Sequence, residues 1–353
     1  MKKVSAAILF ELNEPLRVVD IDLPEPQKGE VMVKVMATGI CHTQLLEISG
    51  KNATGAHNPN LMGHEGSGVV ESVGEGVRKV KPGDHVVLSW IKGSGTNTCP
   101  KPLRLDGVTI NRGPVTTFSD YTVVSENRVT WIPDEMPFTP AALVGCAVAT
   151  GMGMVFNNAA LKLGSSIMII GCGGIGMNAI HAAEIAQARM IVAVDRLASK
   201  LEMAKKFGAT HVVNSSEQDL NEAVKRLTGD EGLDYAIDTV GRKETMEMVY
   251  KSVKKISGRA ILCGVPTPPG QTIEIDPFPL YYGRSLVGTS GGETKPDIDF
   301  EKYCRMYMDG LLRLDDMVTH SFPLHRINEG IELMQQGTCA RVIINVESKR
   351  GNT

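Results

Sequence analysis

No excess of positive charge marks this chain: 37 Lys and Arg stand against 40 Asp and Glu, a net charge of −3 at pH 7. That argues against a nucleic-acid partner. No apolar run reads as long enough to span a bilayer, so no membrane partner is expected. A disulfide framework is missing too. The seven cysteines are odd in number and scattered over 353 residues, a pattern of reduced thiols in a cytoplasmic compartment, with some free to bind metal. There is no internal repeat and no low-complexity segment. Met1-Lys2-Lys3 before Val4 to Phe10 lacks the small-residue cleavage site of a signal peptide, because Glu11 and Glu14 stand there. An N-terminal β-strand is expected instead.

Glycine is plentiful (37 residues), and the chain can bury a large core, in two domains by its length. The first part reads as short strands. Glu30 to Val35 alternates polar with apolar, His85 to Leu88 does so in part, and Pro24, Pro26, Gly29, Gly50, Gly55, Gly74, Gly76 and Pro82-Gly83-Asp84 punctuate them. After Gly151 the rhythm changes. Ser165 to Ile170 is an apolar run ending in glycines, as in a strand buried on both faces. Ile175 to Ala188 has helical spacing, Met190 to Val194 is a second apolar strand ending at Asp195, and Ser199 to Phe207 is helical before Gly208. Asp234 to Val240 and Arg259 to Val265 read as further strands, and Lys251 to Lys255 as a solvated helix face. Strand alternating with helix implies a parallel, doubly wound dinucleotide-binding domain. The tail offers helices at Glu301 to Leu312 and Asn328 to Gln336, and strands at Val318 to Phe322 and Ala340 to Val346.

Two constellations carry chemistry. Cys41, His64 and Cys146 supply two thiols and an imidazole, a donor set suited to zinc. Gly171-Cys172-Gly173-Gly174-Ile175-Gly176 follows a strand and opens a helix, the context a dinucleotide pyrophosphate requires. Asp195 follows about twenty residues later. There its carboxylate accepts from adenosine ribose hydroxyls and repels a 2′-phosphate, favouring NAD over NADP, although Arg196 beside it pulls the other way. A zinc that polarises an alcohol oxygen and a nicotinamide that takes hydride together make an alcohol-oxidising apparatus.

Gly29-Glu30-Val31-Met32-Val33-Lys34-Val35, Gly63-His64-Glu65-Gly66, Val80-Lys81-Pro82-Gly83-Asp84, Phe118-Ser119-Asp120-Tyr121, the nucleotide turn and His325-Arg326-Ile327-Asn328-Glu329-Gly330 carry a resemblance over essentially the whole chain. The chain resembles the medium-chain, zinc-dependent alcohol dehydrogenases. The resemblance implies an α/β protein with a GroES-like β-rich catalytic domain at 1–150, completed by 293–353, around a Rossmann NAD-binding domain at 151–292. It places the active site in the cleft between them. Carried over, Cys41, His64 and Cys146 are the catalytic zinc ligands, Glu65 a nearby acid able to approach the metal, and Thr43 the hydroxyl that bonds the substrate oxygen. His42 faces the cofactor phosphates. Thr150, Gly171, Gly173, Gly174, Ile175, Gly176, Asp195, Arg196 and Lys200 belong to the cofactor site, with Arg341 a late pyrophosphate contact. A homodimer or homotetramer is implied, joined through the edge strand near Ser285 to Ser290.

The chain departs from the family pattern in three places. Trp90 to Asn111 holds only Cys99 where many members bind a structural zinc with four cysteines, so one zinc per subunit is expected. Leu46 stands where a relay histidine is usual, and Gln44 where an acid supports the histidine ligand. Trp90 and Arg112 fall at substrate-pocket positions. Arg112 facing the cleft implies a polar or anionic substrate, whereas Arg112 on an exposed loop implies none. His57, His85, His181, His211, His320 and His325 read as surface or capping residues, Cys172 as a small filler, and Cys263, Cys304 and Cys339 as core. Two other readings remain open: a zinc-free, NADPH-dependent reductase of the same superfamily, and a non-catalytic nucleotide-binding protein.

Overall fold

A computed structural model describes residues 1–51 and 58–346, so Gly55 and His57 lie outside the described residues. The chain divides into two units. Met1–Cys146 with Lys295–Thr353 forms one, and Ala147–Thr294 the other. The sequence placed these boundaries four and two residues away. No loop marks the first of them, because an unbroken helical stretch, Phe138–Ala159, runs through it.

That stretch also corrects the expectation that no apolar run is long enough to span a bilayer. It has 22 residues and a mean hydropathy of 1.6 over its most apolar window, but 89% of that window is buried within the protein. It is a core helix that passes a membrane test by length and composition alone.

The first unit is β-rich. Its larger sheet is organised by the long strand Glu30–Ile40, which pairs antiparallel with Glu65–Val73, Tyr121–Ser125 and Arg341–Asn345. Val31, Val33 and Val35 are fully buried on it, as β-branched side chains suit a pleated, covered surface. Registers then decide where the chemistry lies. Thr38 opposes Gly66 and Glu65 opposes Ser89. Cys41 follows Glu30–Ile40, His64 precedes Glu65–Val73 and Trp90 follows the strand His85–Ser89, which pairs with Glu65–Val73, so three residues distant in sequence meet at one sheet end.

The second unit is a six-stranded parallel sheet. Its order is His211–Asn214, Met190–Asp195, Ser166–Ile170, Tyr235–Asp238, Arg259–Leu262, Ser285–Gly288. This is the doubly wound dinucleotide-binding arrangement. Ser166–Ile170 is buried along its whole length. Helices the sequence reading passed over are Leu220–Thr228 and Lys243–Ser252. The second corrects the helix-face reading of Lys251 to Lys255. The helix stops at Ser252, and Lys254 instead pairs with Asp234 at 2.7 Å while its backbone N–H donates to Leu233.

Candidate active site

Cys41 caps the short helix His42–Ile48. Within that first turn Gln44 does two things with one amide. Its Oε1 accepts from the Cys41 N–H at 3.0 Å, and its Nε2 lies 2.8 Å from His64 Nδ1. Glu47, one turn on, lies 3.5 Å from the same Nε2. The third candidate ligand, Cys146, sits in a π-helical stretch, Val144–Val148, the kind of local bulge often found at functional sites. Its height is set by Ser89, whose Oγ donates to the Gly145 carbonyl at 2.6 Å.

The result is a cluster in which one donor atom each from Cys41, His64 and Cys146 lies within 4.8 Å of the others. Sulfurs bound tetrahedrally at about 2.3 Å stand roughly 3.8 Å apart, so the cluster fits a zinc ion with little adjustment. Three protein donors leave a fourth position for substrate, the pattern of a catalytic rather than a structural site. The Cys41 thiol is held well below its ordinary range. A hydrogen bond with Cys146 is the largest cause, with His64 and Arg341 adding to it against the opposing effect of burial. A thiolate is the form that binds metal.

Thr43 is half-buried beside the cluster, its Oγ1 3.8 Å from Cys41 Sγ, and His42 is exposed. Trp90 aims its indole Nε1 at Cys146 Sγ, 3.2 Å away. Glu65 is fully buried and forms an ion pair with Arg341, itself only 3% exposed. The pair meets over Gly39, where a Cβ would collide with the Glu65 carboxylate and the Arg341 guanidinium. Arg341 reaches this carboxylate because its strand pairs directly beside the one carrying Gly39.

Arg112 ends the strand Val108–Arg112. Its Nε donates to the Lys101 carbonyl at 2.8 Å and its Nη1 to the Val123 carbonyl at 2.9 Å, which uses two of the five guanidinium N–H groups on backbone. His181 is buried, with Nδ1 3.0 Å from Glu184, not a surface residue. Cys263 is half-buried, whereas Cys304 and Cys339 are core and Cys99 is exposed.

The nucleotide turn shows why its glycines stand where they do. Gly171 has φ +95°, a backbone region that other residues rarely adopt. A Cβ on Gly173 would meet nothing within 4 Å, leaving open space above the turn, while one on Gly176 would collide with the Gly171 carbonyl. The helix Gly174–Ile185 begins at this point, presenting free N–H groups and the positive end of its dipole. Asp195 ends the neighbouring strand. One of its oxygens accepts from the Cys172 N–H at 2.8 Å and the other from Arg196 and Leu197. Arg196 is exposed and Lys200 half-buried. Thr150 is 2% exposed, and its Oγ1 has no hydrogen-bond partner among the described residues. A buried hydroxyl left in this state calls for a ligand or water.

Residues 27–134 match the family described as alcohol dehydrogenase GroES-like domain, and residues 174–307 the one described as zinc-binding dehydrogenase. A class-3 alcohol dehydrogenase of Cereibacter sphaeroides is 35% identical over 97% of this chain and 99% of its own length. The chain belongs to the medium-chain, zinc-dependent alcohol dehydrogenases. It is an oxidoreductase that interconverts an alcohol with an aldehyde or ketone, with zinc and NAD as cofactors. An S-(hydroxymethyl)glutathione dehydrogenase of Paracoccus denitrificans is likewise 35% identical, covering 97% of this chain and 99% of that one. Among solved structures, a benzyl alcohol dehydrogenase from Acinetobacter calcoaceticus superposes with a TM-score of 0.89 at 28% identity, over 98% of this chain and 100% of that one.

The sequence reading of this alcohol dehydrogenase missed the contacts that hold the ligands. Ser89 on Gly145 and Trp90 on Cys146 are long-range side-chain contacts. Their only sequence signal was a Ser-Trp pair closing a strand that pairs beside His64.

Proposed function

We propose that Cys41, His64 and Cys146 together hold one catalytic zinc, the sulfur–nitrogen–sulfur cluster within 4.8 Å being the observation that carries this reading. Bound zinc supplies Lewis acidity to the alcohol oxygen, and bound NAD supplies the hydride acceptor. The chain's own residues do the rest. Thr43 Oγ1, beside the cluster, takes the substrate hydroxyl proton. Leu46 carries none, so His42 or water would take the proton on. Arg341 anchors Glu65 behind the ligands.

On the nucleotide side, the turn from Gly171 to Gly176 cradles the pyrophosphate, with Gly174 and Ile175 supplying N–H groups at the helix start. Asp195 and Lys200 take the adenosine ribose, Arg196 flanks them, and the Thr150 hydroxyl acquires its missing partner. The carboxylate favours NAD over NADP. A polar alcohol is the first substrate class to try, because S-(hydroxymethyl)glutathione is named for relatives at 34–35% identity.

A homodimer or homotetramer is supported by the edge strand Ser285–Gly288, which is paired on one side only among the described residues. Just before it Phe278, Tyr281 and Tyr282 are 63%, 85% and 55% exposed, an apolar display that a partner would cover. The free cysteines fit a cytoplasmic setting.

Metal analysis of purified protein tests the reading. One zinc per chain is expected, and Cys41→Ser or Cys146→Ser should lose both the metal and alcohol oxidation. Full activity in metal-free protein would overturn it. A kcat/KM panel setting S-(hydroxymethyl)glutathione against benzyl alcohol tests the substrate class.

A further inference from the structure

Trp90 is joined to the zinc cluster through both its backbone and its side chain. Its backbone N–H donates to the His64 carbonyl at 3.2 Å, and its indole Nε1 lies 3.2 Å from Cys146 Sγ. Two neighbours fix the residue in place. Arg128, buried, donates from Nη1 to the Trp90 carbonyl, and Ser89 Oγ accepts from the Ile91 N–H at 3.0 Å while donating to the Gly145 carbonyl. Residues 89–91 thus grip the segments bearing two of the three ligands.

We propose that Trp90 is a positioning residue of the metal centre, whose indole N–H donates to the Cys146 sulfur, fixes its rotamer and restrains its electron donation. The inference rests on the zinc seat proposed above. A sulfur that accepts a hydrogen bond gives less charge to the metal it binds, and outer contacts of this kind tune a site without touching the ion. Indole nitrogen is a donor only, so the direction of the bond is fixed. Cys146 and Cys41 are thereby made unequal. An aromatic ring at position 90 that served only to shape a substrate pocket would have no need to aim its N–H at sulfur.

The test uses cobalt-substituted enzyme, whose sulfur-to-cobalt charge-transfer band reports the thiolates directly. Trp90→Phe removes the donor and keeps an aromatic ring. A second protein guards against poor folding of that variant. The chain has two tryptophans, so a Trp131→Phe protein grown with benzothienylalanine in place of tryptophan changes position 90 alone, exchanging N–H for sulfur at nearly constant shape. In both proteins the band should move to longer wavelength, and kcat should fall about tenfold with KM for NAD unchanged. A band that stays put in the benzothienylalanine protein overturns the proposal, even if activity falls. A wild-type protein that shows no such band at all would instead overturn the zinc seat on which it rests.

Discussion

The Gln44 amide lies 2.8 Å from the His64 ring, nitrogen to nitrogen, while its oxygen is committed to the Cys41 N–H. One neutral side chain therefore contacts two of the three candidate ligands. It cannot draw charge onto the imidazole as a carboxylate would.

Gln44→Glu keeps an oxygen for the Cys41 N–H and offers the second to the histidine ring. That raises ligand basicity. Zinc should be held about tenfold more tightly, as measured by competition with a chelator. Equal binding would show that a charge at position 44 is irrelevant, and weaker binding would overturn the prediction.

The Glu65–Arg341 pair is buried on both sides. Glu65→Gln removes the carboxylate partner of the buried guanidinium, leaving the Cys41 thiol near it, and breaking a buried pair costs about 3–5 kcal/mol. The melting temperature should fall by on the order of 10 °C. Adding Arg341→Met to Glu65→Gln should restore part of the loss, because the lone charge disappears. A double variant as unstable as the sum of the two singles would rule out coupling between them.

These two contacts mark the limit of what the sequence could reveal. The nucleotide turn was legible because each glycine answers a local requirement, and Ser166–Ile170 because continuous apolar character needs no partner to be recognised. The segments around Cys41, His64 and Cys146 were readable as motifs. Helix Leu220–Thr228 was passed over although both its signals were present, an Asp219 cap accepting from the Glu222 N–H and Gly229 in the left-handed region. The inward turn of Arg341, the burial of Arg112 against carbonyls and the aim of the Trp90 indole depend on strand register. Register joins residues up to hundreds of positions apart, and no local pattern encodes it.

On the proposed reading, Asp195 sets the coenzyme preference through its charge. Asp195→Asn keeps an oxygen for the Cys172 N–H but no longer repels a 2′-phosphate. The ratio of kcat/KM for NADP over NAD should rise at least tenfold, which corresponds to about 1.4 kcal/mol. An unchanged ratio would mean that Arg196 and Lys200 govern the choice.

Glu126 gives a pH dependence of stability. Burial alone would raise its carboxyl, but the backbone N–H groups of Arg78, Thr96 and Lys79 outweigh that and hold it below the usual range. The folded pKa thus lies below the unfolded value of about 4.3. The group stabilises fully above that value, and its contribution is lost as pH falls through the folded one. Glu126→Gln should lower the melting temperature at pH 7 and flatten its fall below about pH 4.3. A melting curve that runs parallel to wild type across the acid range would refute this.

The π-helical stretch at Val144–Val148 amounts to one residue more than a regular helix would hold. Deleting a residue ahead of Cys146 would restore ordinary winding and swing its sulfur around the axis by about 100°, away from Cys41 and His64. A single-codon deletion, with every ligand still encoded, would therefore leave a dehydrogenase with two thirds of a metal seat.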